Sequence, residues 1–417
     1  MKTKDEINTA KKTLYISILL IFLSCAGIAL PYPILAPIFL NGQSEIATFF
    51  GLNPKLLFGV AIAVYPLGAL FGSLVVGALS DVYGRKPILL VTLMISSLGY
   101  ALSAIALWQE NYLMFVLTRL ITGFCEGNIS IAKAIAVDLS PTLDKTKTFS
   151  LLNSAGCAGW LLGPLLSGSL VVYGSPTVFY IAAISIAIAT VVVWLGLVHL
   201  PTKIKPSQTL FVAIRQYNSL HLLKQTRVAK LSKLYFVVAL GIAAFTQFNP
   251  VWLVEQLLFD SKMIGIMTAT TTAAMVLFNA FFVTKVRQTF GMEAAISLGL
   301  VFLAMLLVTH TVIDRQTIWP VYIAIGCALA VVNSLLPVYI SDQCPDLAQG
   351  SLMGLITSVT FLSSVTMGLI GSTLSLLGGG YPLLFGALLF VGALIMFRVI
   401  HMRLTHSEYD STPQIKR

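Results

Sequence analysis

The sequence predicts an all-α integral membrane protein in which twelve transmembrane helices form two six-helix pseudo-repeats. Of its 417 residues, 57% are hydrophobic and only 10% are charged, whereas soluble domains carry about 25% charged residues. Twelve apolar runs each reach the length of about 20 residues that a helix needs to cross the bilayer. They lie near residues 14–40, 56–79, 88–108, 112–139, 149–173, 178–200, 234–258, 263–284, 293–313, 318–341, 351–377 and 382–400.

Helices are predicted because each run is much longer than the ~10 alternating residues of a membrane barrel strand. The longest hydrophilic break carries seven Lys and Arg residues and no acid, and it separates six runs from six. We therefore predict an N-terminal six-helix bundle over residues 1–200 and a basic cytoplasmic linker over 201–233. A C-terminal six-helix bundle with a short cytoplasmic tail follows over 234–417.

Lys and Arg are distributed unevenly between the two predicted sides of the membrane. Of 26 such residues, 21 fall in segments on the side of the N-terminus, and only Lys55, Lys262 and Arg315 fall on the other side. Cytoplasmic loops carry this excess, so both termini are predicted to be cytoplasmic in a multi-pass protein of a bacterial inner membrane. The net charge of +10 is thereby explained without nucleic acid, and membrane lipid is the expected contact of a monomeric chain.

The five cysteines show neither a CxxC pair nor a Cys/His spacing typical of metal sites. The sequence also lacks a phosphate-binding P-loop and a recognisable nucleophile motif. We therefore expect no cofactor and no metal, and neither an ATP-driven pump nor a membrane enzyme.

An internal repeat relates the two halves. Asp138-Leu-Ser-Pro141 recurs 204 residues later as Asp342-Gln-Cys-Pro345, each time after the fourth run of its half. Parallel six-helix repeats place a substrate site near the bilayer midplane, between the halves.

The loop after the second run contains Gly77, Asp81, Gly84 and Arg85 in the order G-x-x-x-D-x-x-G-R-[KR]. This order resembles the signature of the major facilitator superfamily, and the resemblance covers essentially the whole chain. It implies a secondary active transporter that works by alternating access. In that family the Asp and Arg form a conformational charge relay with an acid at the cytoplasmic end of the fourth helix, where this chain has Asp138. The glycines are expected to let the helix ends approach closely.

The fourth run contains three charged residues. Arg119 and Gly123 resemble the family's R-x-x-x-G motif, whose arginine is implicated in proton coupling. Arg119, Glu126 and Lys133 are seven residues apart, so a continuous helix would stack them on one face. Each charge costs at least ~2.5–3.5 kcal/mol inside a bilayer, so the charges should face a cavity and form pairs. Both a proton-coupling stripe and a charge ladder that fixes helix packing remain open.

Gly159, Gly163, Pro164 and Gly168 in the fifth run resemble the antiporter motif G-x-x-x-G-P-x-x-G-G, which accompanies export in the family. The proline-rich end of the first run is also similar to that of drug/proton antiporters. The acid that often precedes this segment in those proteins is absent here, so Glu126 becomes the expected proton carrier.

Other polar residues inside the runs are candidates for substrate binding, although each is equally explained by an interhelical hydrogen bond. We expect Glu255 at an outer gate or rim, and His310 to be solvated near the outer surface. The predicted substrate-binding residues are Lys133, Glu126, Asn249, Trp252, Asn279 and Asn333.

Together these patterns predict proton-coupled export of a small organic molecule or drug, in which Glu126 exchanges protons and Arg119 favours its carboxylate form when close. An alternative is transport, in either direction, of an anionic metabolite or carboxylate-type siderophore, because Arg119 and Lys133 outnumber Glu126. A further alternative is a non-transporting membrane nutrient sensor.

Overall fold

The computed structural model describes residues 4–41, 44–138, 145–197, 219–347 and 349–411, which are almost entirely helical and contain no strand. The helices of the first half are α1 Lys4–Ala29, α2 Tyr32–Leu40, α3 Pro54–Tyr83, α4 Arg85–Trp108, α5 Tyr112–Phe124, α6 Asn128–Asp138, α7 Lys145–Leu170 and α8 Ser175–Gly196. Those of the second half are α9 Thr226–Leu257, α10 Ser261–Phe281, α11 Val283–Phe290, α12 Met292–His310, α13 Ile318–Asp342, α14 Gln349–Ser375 and α15 Tyr381–Ser411. Short 3₁₀ turns lie at Glu45–Ala47, Phe49–Gly51, Val171–Tyr173 and Ser219–Lys224.

Twelve membrane crossings follow from these helices. Within the described residues, eleven stretches are long and apolar enough to span a membrane, and the shorter apolar helix α5 supplies part of the remaining crossing. Helices α1 and α2 form span 1, α5 and α6 form span 4, and α11 is a short connection between spans 8 and 9. The predicted all-helical, multi-pass fold is confirmed.

The seventh span begins earlier than the sequence predicts. Helix α9 starts at Thr226, inside the segment 201–233 that we assigned to a linker. Val228, Leu231 and Leu234 are all at most 1% exposed, so one face of this basic segment packs against the protein. The intervening lysines lower the average hydropathy and conceal that face. Residues 198–218, which include most of the predicted linker, lie outside the described residues.

The fourth span is not the continuous helix that the sequence predicts. A turn at residues 125–127 separates α5 from α6. The side-chain amide nitrogen of Asn128 donates to the carbonyl oxygens of Cys125 and Glu126. These bonds satisfy backbone groups that the break releases inside the membrane. The predicted stacking of three charges on one face is therefore wrong, and Glu126 lies in the break itself.

The two halves are in contact near the helix ends that lie on the side opposite both termini. We call this side the outer side. Helix α3 packs along α14, α7 packs along α10, and α2 contacts α9 and α10. The α3–α14 contact is close because Gly59 lies against Ser372, where an added Cβ would collide. The structure is therefore closed on its outer side.

Candidate functional site: a charged pair at the break of span 4

Arg119 lies in a pocket of aromatic rings. Its side chain is 3% exposed, and its guanidinium carbon lies 4.3 Å from the ring centroid of Tyr65 and 5.7 Å from those of Tyr100 and Phe179. A desolvated cation–π contact contributes about 2 kcal/mol, which offsets part of the cost of burying the charge. The Arg119 Nε and Nη1 atoms have no hydrogen-bond partner, so the ring contacts leave these two donors unsatisfied.

Glu126 is buried in the same region but does not contact Arg119. It is 9% exposed, and the Tyr100 hydroxyl lies 3.5 Å from Oε1 as its donor. The Tyr65 hydroxyl is also close to this carboxyl group, yet the hydroxyl and Glu126 Oε2 both lack a well-formed hydrogen bond. No salt bridge within 4.0 Å joins Arg119 to Glu126, both of which lie in the described part of the chain. Arg119 and Glu126 thus share one buried site without forming an ion pair.

Glycines bring spans 2 and 4 together at this point. A Cβ added to Gly123 of α5 would collide with the Tyr65 carbonyl oxygen of α3, and one added to Gly72 would collide with the Phe124 carbonyl oxygen. Small residues let membrane helices touch through their backbones. This close contact between the two helix backbones places the Tyr65 ring next to Arg119.

Lys133 differs from the buried pair in its exposure. Its side chain is exposed, whereas Arg119 and Glu126 are buried. It lies within electrostatic range of the thiols of Cys25 on α1 and Cys157 on α7, and the Cys25 thiol is also within range of Glu126. The structure therefore buries two of the three predicted charges and leaves Lys133 exposed.

Of the predicted substrate-binding residues of the second half, Asn249 belongs to a buried hydrogen-bonded chain and Trp252 packs against it. Tyr322 donates to Asn249 Oδ1 at 2.5 Å, and His310 Nε2 lies 3.1 Å from the Tyr322 hydroxyl. Trp252 packs on the His310 ring with centroids 4.3 Å apart. His310 is 0% exposed, so the expectation that it is solvated is wrong. The polar partner Tyr322 on the next span makes its burial possible.

Asn279 and Asn333 lie at the contact between α10 and α13, and both are exposed. Ser334 donates to Asn279 Oδ1 at 2.9 Å, and the Asn333 amide lies 4.0 Å from the Met275 sulfur. These two residues therefore have partners different from those of Asn249 and Trp252.

The motif between spans 2 and 3 forms a tight turn. Gly84 has φ 96°, a backbone conformation that residues other than glycine rarely adopt. Arg85 Nη1 donates to Ser80 Oγ at 2.9 Å. Outside its own helix backbone, no atom of the described residues lies within 4 Å of a Cβ added to Gly77, so this part of the chain does not show the expected close approach at this glycine. Two members of the predicted relay have side chains outside the described residues, namely Asp81 and Asp138.

The antiporter-like motif of α7 packs against both halves. A Cβ on Gly159 would lie 2.7 Å from the Phe22 carbonyl oxygen of α1, and one on Gly163 would lie 2.8 Å from the Ala29 Cβ. On the opposite half, Gly168 lies against Lys262 of α10, and the Pro164 carbonyl oxygen lies against Gly265. These glycines let α7 approach α1 closely, and the close approach extends to the contact between the halves.

An ion pair connects the halves at the outer side. Lys55 Nζ at the start of α3 lies 2.6 Å from Glu255 Oε1 near the end of α9, and the same ammonium donates to the Ser375 carbonyl oxygen at 2.6 Å. Glu255 Oε2 accepts a bond from the Gly379 amide at 2.8 Å. We call these contacts the outer latch. They place Glu255 at the outer contact between the halves.

Sequence reasoning missed the aromatic residues that build the charged site, because tyrosine and phenylalanine in an apolar run form no recognisable motif. The signal that could have identified them is the phenolic hydroxyl, since a buried tyrosine usually finds a polar partner. The residues concerned at this site are Tyr65, Tyr100 and Phe179, of which the two tyrosines carry that hydroxyl. Tyr322, which donates to Asn249 in the second half, was missed for the same reason. Among the described residues, no cluster of side chains suits a metal ion.

Comparison with known proteins agrees with this architecture. The family model described as Major Facilitator Superfamily matches residues 17–368. The chain is 24% identical to the class E tetracycline resistance protein of Escherichia coli over 404 residues, which cover 94% of this chain and 95% of that protein. It is 25% identical to the quinolone resistance protein NorA of Staphylococcus aureus over 363 residues, covering 87% and 88%.

A solved structure shows the same fold. The human organic anion transporter MFSD10 superposes with a TM-score of 0.67 at 20% identity, covering 93% of this chain and 99% of that one. The family match over most of the chain, the twelve crossings and the signature turn agree that this is a membrane transporter rather than an enzyme. The chain belongs to the Major Facilitator Superfamily.

Proposed function

We propose that this chain exports a small organic molecule by alternating access, in exchange for protons that Glu126 carries. One observation carries the proposal: Glu126 and Arg119 are buried together at the break of span 4, yet they are not paired. Burial favours the neutral form of a carboxyl group that has no cation in contact. Glu126 therefore holds a proton in this outer-closed conformation, and closer approach of Arg119 releases it.

The relatives support export as the direction. The two bacterial relatives are named for resistance to tetracycline and to quinolone, and α7 carries the antiporter-like glycines at the contact between the halves. The excess of Lys and Arg in the loops on the side of the termini supports cytoplasmic termini, and the bacterial relatives support a bacterial inner membrane. We further propose that the chain works as a monomer of two six-helix domains in contact with lipid.

Proton movement in proteoliposomes tests the proposal. Vesicles that enclose a pH-sensitive dye are exposed to tetraphenylphosphonium, tetracycline or citrate, with wild-type protein, Glu126→Gln or the matched control Asp314→Asn, which alters an exposed outer carboxylate. We expect a proton flux with the cation or the drug that disappears in Glu126→Gln and persists in Asp314→Asn. Undiminished proton-driven transport by correctly folded Glu126→Gln would refute the role of Glu126.

Transport of an anionic metabolite or carboxylate-type siderophore is the second candidate, and the exposed ammonium of Lys133 favours it. An exposed cation beside spans 1 and 5 suits a carboxylate group. In the same vesicles, a response confined to citrate that Lys133→Ala abolishes would move the function to this class. Binding of a probe without measurable flux would instead favour a nutrient sensor.

A further inference from the structure

Tyr65 contacts both members of the buried charged pair through different parts of its side chain. The ring face holds the Arg119 guanidinium carbon at 4.3 Å from the centroid. The hydroxyl at the far end lies beside the Glu126 carboxyl group. No other aromatic residue of the site is as close to the guanidinium, since Tyr100 and Phe179 lie at 5.7 Å.

The polar atoms at this point are incompletely bonded. The Tyr65 hydroxyl, Glu126 Oε2, and the Nε and Nη1 atoms of Arg119 are buried, and none has a hydrogen-bond partner. Buried polar groups are nearly always bonded, so this arrangement suits groups that exchange partners in another conformation. A displacement that completes a bond from Tyr65 to Glu126, or one that brings Arg119 to the carboxylate, would give these atoms partners.

The surrounding backbone permits such a displacement. Pro66 follows Tyr65 within α3, and proline removes a helical hydrogen bond. On the facing span, the turn at residues 125–127 separates α5 from α6. The close contact of Gly123 with the Tyr65 carbonyl oxygen joins these two interruptions. Motion of α6 relative to α5 therefore moves Glu126 relative to both Tyr65 and Arg119.

We propose that Tyr65 is the positioning residue of this charged pair: its ring keeps Arg119 away from Glu126 in the outer-closed state, and its hydroxyl bonds the carboxyl group as span 4 bends. Tyr65 itself transfers no proton in this scheme. It determines which partner Glu126 meets, so the inference rests on the proposed proton-carrying role of Glu126.

Infrared difference spectroscopy of the full-length protein in lipid tests this role without a known substrate. A protonated carboxyl group gives a C=O stretching band that is sensitive to hydrogen bonding, and Glu126→Gln identifies the band that belongs to Glu126. Tyr65→Phe retains the ring and removes the hydroxyl, whereas Tyr65→Leu removes both. Tyr100→Phe is the matched comparison, because it removes the hydroxyl that lies 3.5 Å from Oε1 as its donor and retains the Tyr100 ring.

In this outer-closed state we expect the Glu126 band to shift to higher frequency in Tyr100→Phe, because Oε1 loses its donor, and to stay near its wild-type position in Tyr65→Phe, which retains the ring and removes a hydroxyl without a partner. In Tyr65→Leu the band should be lost, because the released Arg119 pairs with the carboxylate. A Glu126 band that persists unchanged in Tyr65→Leu would overturn the positioning role. A spectrum in which Glu126→Gln removes no band would instead refute the proton-carrying role itself.

Discussion

Breaking the outer latch should shift the protein toward an outer-open conformation. Lys55→Gln removes the ion pair with Glu255 and the charged bond to the Ser375 carbonyl oxygen, both 2.6 Å long. The side chains are 18% and 22% exposed, so solvent screens part of the attraction. A charged hydrogen bond contributes ~1.5–3 kcal/mol and an exposed ion pair up to about 1 kcal/mol, so a net loss of about 2 kcal/mol is expected.

This loss corresponds to an about 30-fold change in the ratio of outer-open to outer-closed molecules. Spin labels at positions 108 and 312 in a cysteine-free background measure the opening, because Trp108 and Val312 are 75% and 78% exposed at the outer ends of opposite halves. The distance distribution between the labels should gain a longer component in Lys55→Gln. Lys262→Gln is the control, since it removes an exposed outer lysine that is not part of the latch.

A double-mutant cycle with Glu255→Gln separates the ion pair from the other contacts. The glutamine carbonyl can still accept from the Gly379 amide, so Glu255→Gln should have a smaller effect than Lys55→Gln. The coupling energy between the two positions should be about 1 kcal/mol, as for partly exposed pairs. Equal distance distributions in wild type and in Lys55→Gln would refute the latch.

Three further predictions concern stability and reactivity. Gly84→Ala should lower the thermal midpoint of unfolding, because an alanine at φ 96° costs roughly 1–3 kcal/mol. Gly77→Ala should leave the midpoint unchanged, since among the described residues the new Cβ has no neighbour within 4 Å outside its own helix backbone. Equal midpoints for the two variants would contradict the strained turn at Gly84. Gly163→Val should reduce the yield of folded protein measured by gel filtration, since the new Cβ would lie 2.8 Å from the Ala29 Cβ. Gly156→Ala should leave that yield unchanged, because the nearest atom to its new Cβ is 3.5 Å away. Burial raises the pKa of the Cys344 thiol in the loop between α13 and α14. Maleimide labelling of Cys344 should therefore be slow at neutral pH and faster as the pH rises. Rapid labelling at pH 7 would contradict the burial of this thiol.

The twelve crossings could be predicted from the sequence because membrane insertion depends on the length and composition of each segment. The signature turn was also predictable, since Gly84 and Arg85 occupy fixed places in a local motif. The start of α9 was less so, because the buried face of Val228 and Leu231 is interrupted by lysines. A periodic face was present there, but an average over the segment conceals it.

The arrangement of the charged site could not be predicted from local sequence patterns. Seven-residue spacing predicts stacking of Arg119, Glu126 and Lys133 only if the helix is continuous. The turn after Phe124 depends on contacts with another span, including the packing of Gly127 against Val76. A break of this kind therefore has no clear signal in the sequence of span 4 alone.

The burial of His310 has the same origin. A histidine near the end of a span is expected to be solvated unless a polar partner compensates its burial. Its partner Tyr322 belongs to another helix, and Tyr322 in turn donates to Asn249 on a third. Only packing brings these three groups together.

The sequence by itself determined the membrane fold, the number of crossings, the family and the presence of costly charges in span 4, because these depend on composition, local motifs and the free energy of transfer into lipid. Tertiary structure decided that Arg119 contacts aromatic rings, that Glu126 is unpaired, and that Lys55 connects the halves through Glu255. These contacts join residues that are distant in the chain. Their formation depends on which helices pack together and how closely the glycines between them allow the backbones to approach.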